Sequence, residues 1–191
     1  MTDLRLDSDG QWVQANLAAQ PQAWAAETVS RRWTEQRLDP EPHRSEVITA
    51  SVTRIVSALG VAELDAALLL YPAADQPVVT VVGLRTVPAP PGLTLKGLGE
   101  ELCVPEEMLE RPRQRSVIET PAGTAVRLVQ RYREPLCPGV EEIREHVAYG
   151  CLVAGSDHEN VVVTVSTVFV DLVAAGKWIT AVDELAQCLT A

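Results

Sequence analysis

The segment "RSVIETPAGTAVRLVQRYRE", Arg115 to Glu134, constrains the fold of this chain most. Two runs of alternating apolar and polar residues flank Thr120-Pro121-Ala122-Gly123. A period of two on both sides of a Pro- and Gly-containing turn is the signature of a β-hairpin. A second pair follows in "HVAYGCLVAG" and "NVVVTVSTVFV". Strands that succeed one another across short turns pair antiparallel, because parallel neighbours need a long crossover. In the last strand Val161, Val163, Val165 and Phe169 share one face, and Val162, Thr164, Ser166 and Val168 share the other. One side is apolar and the other mixed, which suits a sheet with helices on one face.

Upstream, Leu68–Pro72 and Val78–Val87 are β-rich runs around a polar, Pro-containing turn. Ala23 to Gln36 has helical propensity, and "LDPEPH" breaks it, because proline cannot occupy a helix interior. Ile48, Val52, Ile55, Val56 and Leu59 recur at helical spacing over Arg44 to Leu59, with Gly60 as a C-cap. "PAPPG" at Pro88 to Gly92 is a stiff connector, and Leu93 to Arg113 reads as an irregular excursion with a short helix. The closing helix, from about Lys177, aligns Trp178, Val182, Leu185 and Leu189. The expectation is an α+β fold: an antiparallel sheet of about six strands with helices packed against it. Residues 1–60 form an N-terminal helical extension and 61–191 the sheet domain. Val126, Leu128, Val161, Val163, Val165, Phe169, Trp178, Val182, Leu185 and Leu189 are the expected core.

Charge narrows the function classes. The net charge is −10, and the cations are fourteen Arg with only Lys96 and Lys177. Nucleic-acid binding rests on cationic neutralisation of phosphate, so such a chain is not expected to bind it. An anionic membrane surface is disfavoured for the same reason. "MTDLRLDSDG" has neither the basic nor the apolar region of a signal peptide, and no apolar run is long enough to span a bilayer. A cytoplasmic location is expected. Cys103, Cys137, Cys151 and Cys188 are irregularly spaced, without a C-x-x-C, and read as core fillers or surface thiols.

Groups that would carry chemistry are sparse. His146 lies near Glu141, Glu142 and Glu145, as a general base or metal ligand would. Strand alternation puts His146 and Glu145 on opposite faces, so neither role is expected. Asp157-His158-Glu159 lies in a turn and lacks a nucleophile in context. Cys151 sits mid-strand with the apolar facing of Val147, Tyr149 and Val153, without the cationic neighbour that activates a thiol. Neither G-x-G-x-x-G nor a P-loop occurs. No catalytic residue, metal site or cofactor is expected. Two partner-binding candidates remain. Arg127, Arg131 and Arg133 share a strand face and would bind an acidic partner or small anion, unless acids such as Glu100-Glu101 or Glu141-Glu142 neutralise them internally. Trp12, Trp24 and Trp33 crowd into the first 33 residues, either as interface anchors or as the docking face of the N-terminal helices.

"VIETPAGTAVRLVQRYRE", the following β-pair and "STVFVDLVAAGKWITAVDELAQCL" together resemble the PsbP-like α+β sandwich group over about residues 66–191. That group includes photosystem extrinsic subunits, a Ran-binding nuclear transport factor and uncharacterised bacterial proteins. The pattern is closest in flavour to actinobacterial proteins of unknown function with a "PAG-A-R" hairpin and a closing "D-x-x-A" helix, here Asp183 to Ala186. The resemblance carries no catalytic residues. It implies a binding or assembly factor, and residues 1–60 depart from a minimal member. The leading expectation is a non-enzymatic protein-binding adaptor or assembly component. The alternatives are an anion- or metabolite-binding domain, or enzyme, with a pocket between sheet and helices, and a self-associating structural subunit.

Overall fold

The computed structural model describes residues 10–154 and 160–188, which fall into two compact units, 10–83 and 84–188. Strand order in the sheet is β1 (Trp12–Gln14), β2 (Ala66–Leu70), β3 (Thr80–Pro88), β7 (Asn160–Phe169), β6 (Val140–Ala154), β5 (Gly123–Cys137) and β4 (Gln114–Thr120). The fold class is the expected α+β, with seven strands rather than about six. The extra one is β1 (Trp12–Gln14), three residues without a legible alternation, paired antiparallel with β2 (Ala66–Leu70). The unit containing the first two helices therefore carries strands of its own and extends past residue 60 to Gly83.

In the first unit, helix α1 spans Pro21–Glu35 and α2 spans Pro42–Leu59. Each begins with proline in its first turn, where the missing N–H has no intrahelical partner to lose. Pro42 thus starts α2 rather than standing outside it. The break after α1 is made by backbone geometry as well as by proline. Arg37 adopts φ +55°, its N–H donates to the Thr34 carbonyl at 3.0 Å, and the Leu38 N–H donates to the Trp33 carbonyl at 3.0 Å. That is a Schellman closure with arginine where glycine is usual. Val13, Ala15, Ala67, Leu69 and Tyr71 pack with Val29, Trp33, Ile48, Val52 and Val56 as this unit's core.

The second unit contains the end of β3 (Thr80–Pro88), then α3 (Leu95–Glu101), a 3-10 turn at Glu106–Met108, and the strands β4 (Gln114–Thr120), β5 (Gly123–Cys137), β6 (Val140–Ala154) and β7 (Asn160–Phe169), closed by α4 (Leu172–Gln187). The hairpin of β4 and β5 has the expected turn, with Thr120 opposite Gly123. β5 and β6 are each fifteen residues long and meet at a two-residue turn, Pro138-Gly139, with Gly139 at φ +78°. Proline followed by a left-handed glycine fits a type II turn.

Helices cover both faces of these strands, not one. Leu98 of α3 packs with Val126, Leu128 and Val162. On the opposite face, Arg127 and Tyr149 reach Asp183 of α4. The reason is visible in β7, where both Val162 and Val163 are buried, so apolar groups on each side need cover. Gly150 permits the approach of α3, since a Cβ there would lie 2.9 Å from Leu98. Helix α4 starts five residues before the expected Lys177, because Asp171 caps it, accepting from the Val173 N–H at 2.8 Å and the Ala174 N–H at 3.2 Å. Of the expected core, Val161 and Trp178 are only half-buried, and Leu189 lies outside the described residues.

Candidate functional site

Odd-numbered residues of β5 and β6 form one charged face. Arg127 stands opposite Tyr149, and Arg131 opposite Glu145. Arg127 Nε donates to Asp183 Oδ1 at 2.6 Å and Nη2 to Oδ2 at 3.0 Å, while the Tyr149 hydroxyl donates to the same Oδ1. The hydrogen bond to Asp183 raises the Arg127 pKa further, and burial is the main cause that raises that of Tyr149. Glu145 is 2% exposed and sits between two guanidinium groups. Arg111 Nη2 reaches Oε1 at 2.5 Å and Arg131 Nη2 reaches Oε2 at 2.7 Å. A carboxylate this deep is tolerated because both oxygens accept charge-assisted bonds. Arg133 is about half exposed and pairs with Glu110 at 2.5 Å and Glu141 at 3.7 Å.

The three arginines therefore share the expected face, and each has a carboxylate within the chain. Of the acids weighed as internal partners, Glu141 serves; Asp183, Glu145 and Glu110 come from positions that strand alternation does not connect to β5.

His146 faces away from Glu145, as alternation requires. Its Nδ1 lies 3.4 Å from Gln130 Nε2, and burial lowers its pKa. Gln130, fully buried, accepts from the Val104 N–H at 2.9 Å and donates to the Leu102 carbonyl at 3.0 Å, tying the segment after α3 to the sheet. Cys151 is buried, with its thiol pKa raised by burial and by Glu119, which is the opposite of activation. Asp157, His158 and Glu159 lie outside the described residues. Among the described residues no cluster of His, Cys, Asp and Glu has the arrangement of a metal site.

The tryptophans separate. Trp33 is 4% exposed, and its indole N–H lacks a partner. Trp24 is half-buried against the same core, and Trp12 is half-buried on β1. Beside Trp33, the buried Arg32 donates to the Gly10 carbonyl at 2.5 Å and the Tyr71 carbonyl at 2.6 Å. Gln36 donates to the Pro72 carbonyl at 2.9 Å and accepts from the Ala74 N–H at 2.8 Å. Arg32 and Gln36 are one helical turn apart and fasten α1 to the end of β2, a pairing that i, i+4 spacing hints at only once the target is known.

The β5–β6 hairpin was not anticipated at its full length. Its end carries Leu136 (53% exposed), Val140 (48%) and Ile143 (37%), and a shallow concavity follows the turn from Pro135 to Glu141. The Pro-Gly pair was the available signal for this turn. No helix among the described residues is long and apolar enough to cross a membrane.

Comparison with family models, with curated proteins and with solved structures finds no match for this chain.

Proposed function

We propose that the chain is a non-enzymatic protein-binding component that presents the end of the β5–β6 hairpin to a protein with an apolar surface. The observation that carries this reading is the grouping of Leu136, Val140 and Ile143 around one turn, all exposed. Apolar groups concentrated on an exposed element mark contact sites more often than scattered ones do. Arg133 joins the same element, in register with Ile143. The PsbP-like pattern, whose members mostly act as binding or assembly factors, points the same way. So does Cys151, which is buried with its thiol pKa raised by that burial and is therefore not an activated nucleophile.

The test is the mass of the complex isolated gently from the chain's own host, for the wild type and for Leu136→Ser/Val140→Ser/Ile143→Ser. The wild type should run with a second protein, and the triple variant should lose it while unfolding at an unchanged temperature. A wild-type chain without any second protein, or a variant that keeps it, overturns the reading.

A further inference from the structure

The outermost strand of the sheet, β4, is in regular antiparallel register with β5 over seven pairs, from Gln114 opposite Val129 to Thr120 opposite Gly123. No strand lies on its other side among the described residues. Natural edge strands are usually blunted by charged side chains, proline, a bulge or brevity. β4 has no proline and no bulge; its two charges, Arg115 and Glu119, are of opposite sign, and Val117 between them is 60% exposed.

The direction of its free backbone groups follows from the turn. Residues flanking a two-residue loop exchange both backbone hydrogen bonds, so Thr120 and Gly123 form a hydrogen-bonded pair. Hydrogen-bonded and non-hydrogen-bonded pairs alternate along the ladder. Ile118, Ser116 and Gln114 therefore point their N–H and C=O groups at β5. Glu119, Val117 and Arg115 point theirs outward, where no second strand among the described residues receives them.

We propose that two copies of the chain pair antiparallel through β4, centred on Val117. In that register Val117 faces Val117 of the second copy, and Arg115 of each copy faces Glu119 of the other. All three outward residues then form hydrogen-bonded pairs, and their side chains fall on the face shared with α3. The charges select this register over its neighbours. Centring the pair on Arg115 or on Glu119 would set like charges directly opposite, which is destabilising, whereas centring on Val117 sets opposite charges across both flanks. The Arg115 guanidinium donates to the Lys96 carbonyl at 3.1 Å, and Glu119 accepts from the Thr124 hydroxyl at 3.2 Å. No ion pair involves either side chain among the described residues. This pairing is independent of the hairpin-end reading, because it is tested on the purified chain alone.

The experiment is sedimentation of the purified chain over a concentration series, for the wild type, Arg115→Glu and Glu119→Arg. The wild type should pass from one to two copies of the 20.7 kDa chain as concentration rises. Each single variant turns both attractive flanking pairs into repulsive ones and should dimerise roughly tenfold more weakly. An equimolar mixture of the two variants restores opposite charges at both flanks and should recover the dimer. A monomer at every concentration, a dimer of equal strength in all three proteins, or a mixture no tighter than its components overturns the proposal. Where a variant fails to fold, amide exchange on the wild type decides. Protection of the Arg115, Val117 and Glu119 amides should rise with concentration while that of Ser116 and Ile118 stays constant. Concentration-independent exchange at all five overturns it.

Discussion

Arg127 and Asp183, 56 residues apart, are joined by two parallel hydrogen bonds of 2.6 and 3.0 Å. This fork fastens α4 to the face of β5, and Tyr149 of β6 adds a third bond to the same carboxylate.

Replacing Asp183 with Asn removes the charge and one of the two arginine bonds while leaving Arg127 largely buried. The expected loss is about 2 kcal/mol, since the partners are less than a third exposed and an unpaired guanidinium is left behind. Tyr149→Phe should cost less, about 1 kcal/mol. The double variant should fall short of the sum, because both bonds end on one carboxylate. Urea unfolding midpoints at constant m-value measure all three.

The three tyrosines make stability pH-dependent at the alkaline end. Burial is the first cause that raises each of Tyr71, Tyr132 and Tyr149, with Tyr71 reaching about 12 from 10.0. A raised folded pKa means that the unfolded chain releases its protons first. The stabilisation is therefore intact below pH 10 and is lost as pH rises from 10 through the folded values. Native absorbance at 295 nm should show little tyrosinate at pH 10, and the unfolded chain should show about half its tyrosines ionised there. A native titration centred at 10 would contradict the burial of these hydroxyls.

Trp33 separates ring from indole N–H. Trp33→Ala removes a large side chain from the core beside α1 and α2 and should cost about 3–5 kcal/mol. Trp33→Phe keeps most of the ring and removes a buried donor that lacks a partner, so its cost should stay below about 1.5 kcal/mol. Thermal unfolding of both variants checks the contrast. The half-buried Trp12 should be the most tolerant of the three N-terminal tryptophans.

Arg37 is exposed and holds φ +55° at the end of α1. Glycine carries no Cβ penalty in that conformation, so Arg37→Gly should stabilise the chain by about 0.5–1 kcal/mol. A loss of stability would mean that the arginine side chain, not the backbone, matters there. Denaturant midpoints again suffice.

Local signals placed much of this fold. Propensity located α1, and periodicity α2, to within about two residues, and Pro121-Ala122 marked the turn between β4 and β5. Strand parity put Arg127, Arg131 and Arg133 on one face and His146 opposite Glu145. Other legible signals were outweighed by their neighbours. Pro135, Glu141 and Glu142 interrupt the β pattern on either side of Pro138-Gly139, so alternation alone carries β5 only to Glu134 and β6 only from His146. At α4, the spacing of Trp178, Val182, Leu185 and Leu189 marks the helix only from about Lys177, although Asp171 was a ready cap.

The sequence by itself determined what depends on neighbours along the chain: the elements, their turns and the alternation of their faces. Those follow from backbone sterics and from periods of two and 3.6 residues. Only the tertiary structure decided which carboxylate meets which arginine, that β3 lies beside β7, and that α3 and α4 cover opposite faces. Such pairings join residues tens of positions apart. Many acids are chemically equivalent partners for an arginine, and only packing of the whole sheet distinguishes Asp183 and Glu145 from the rest.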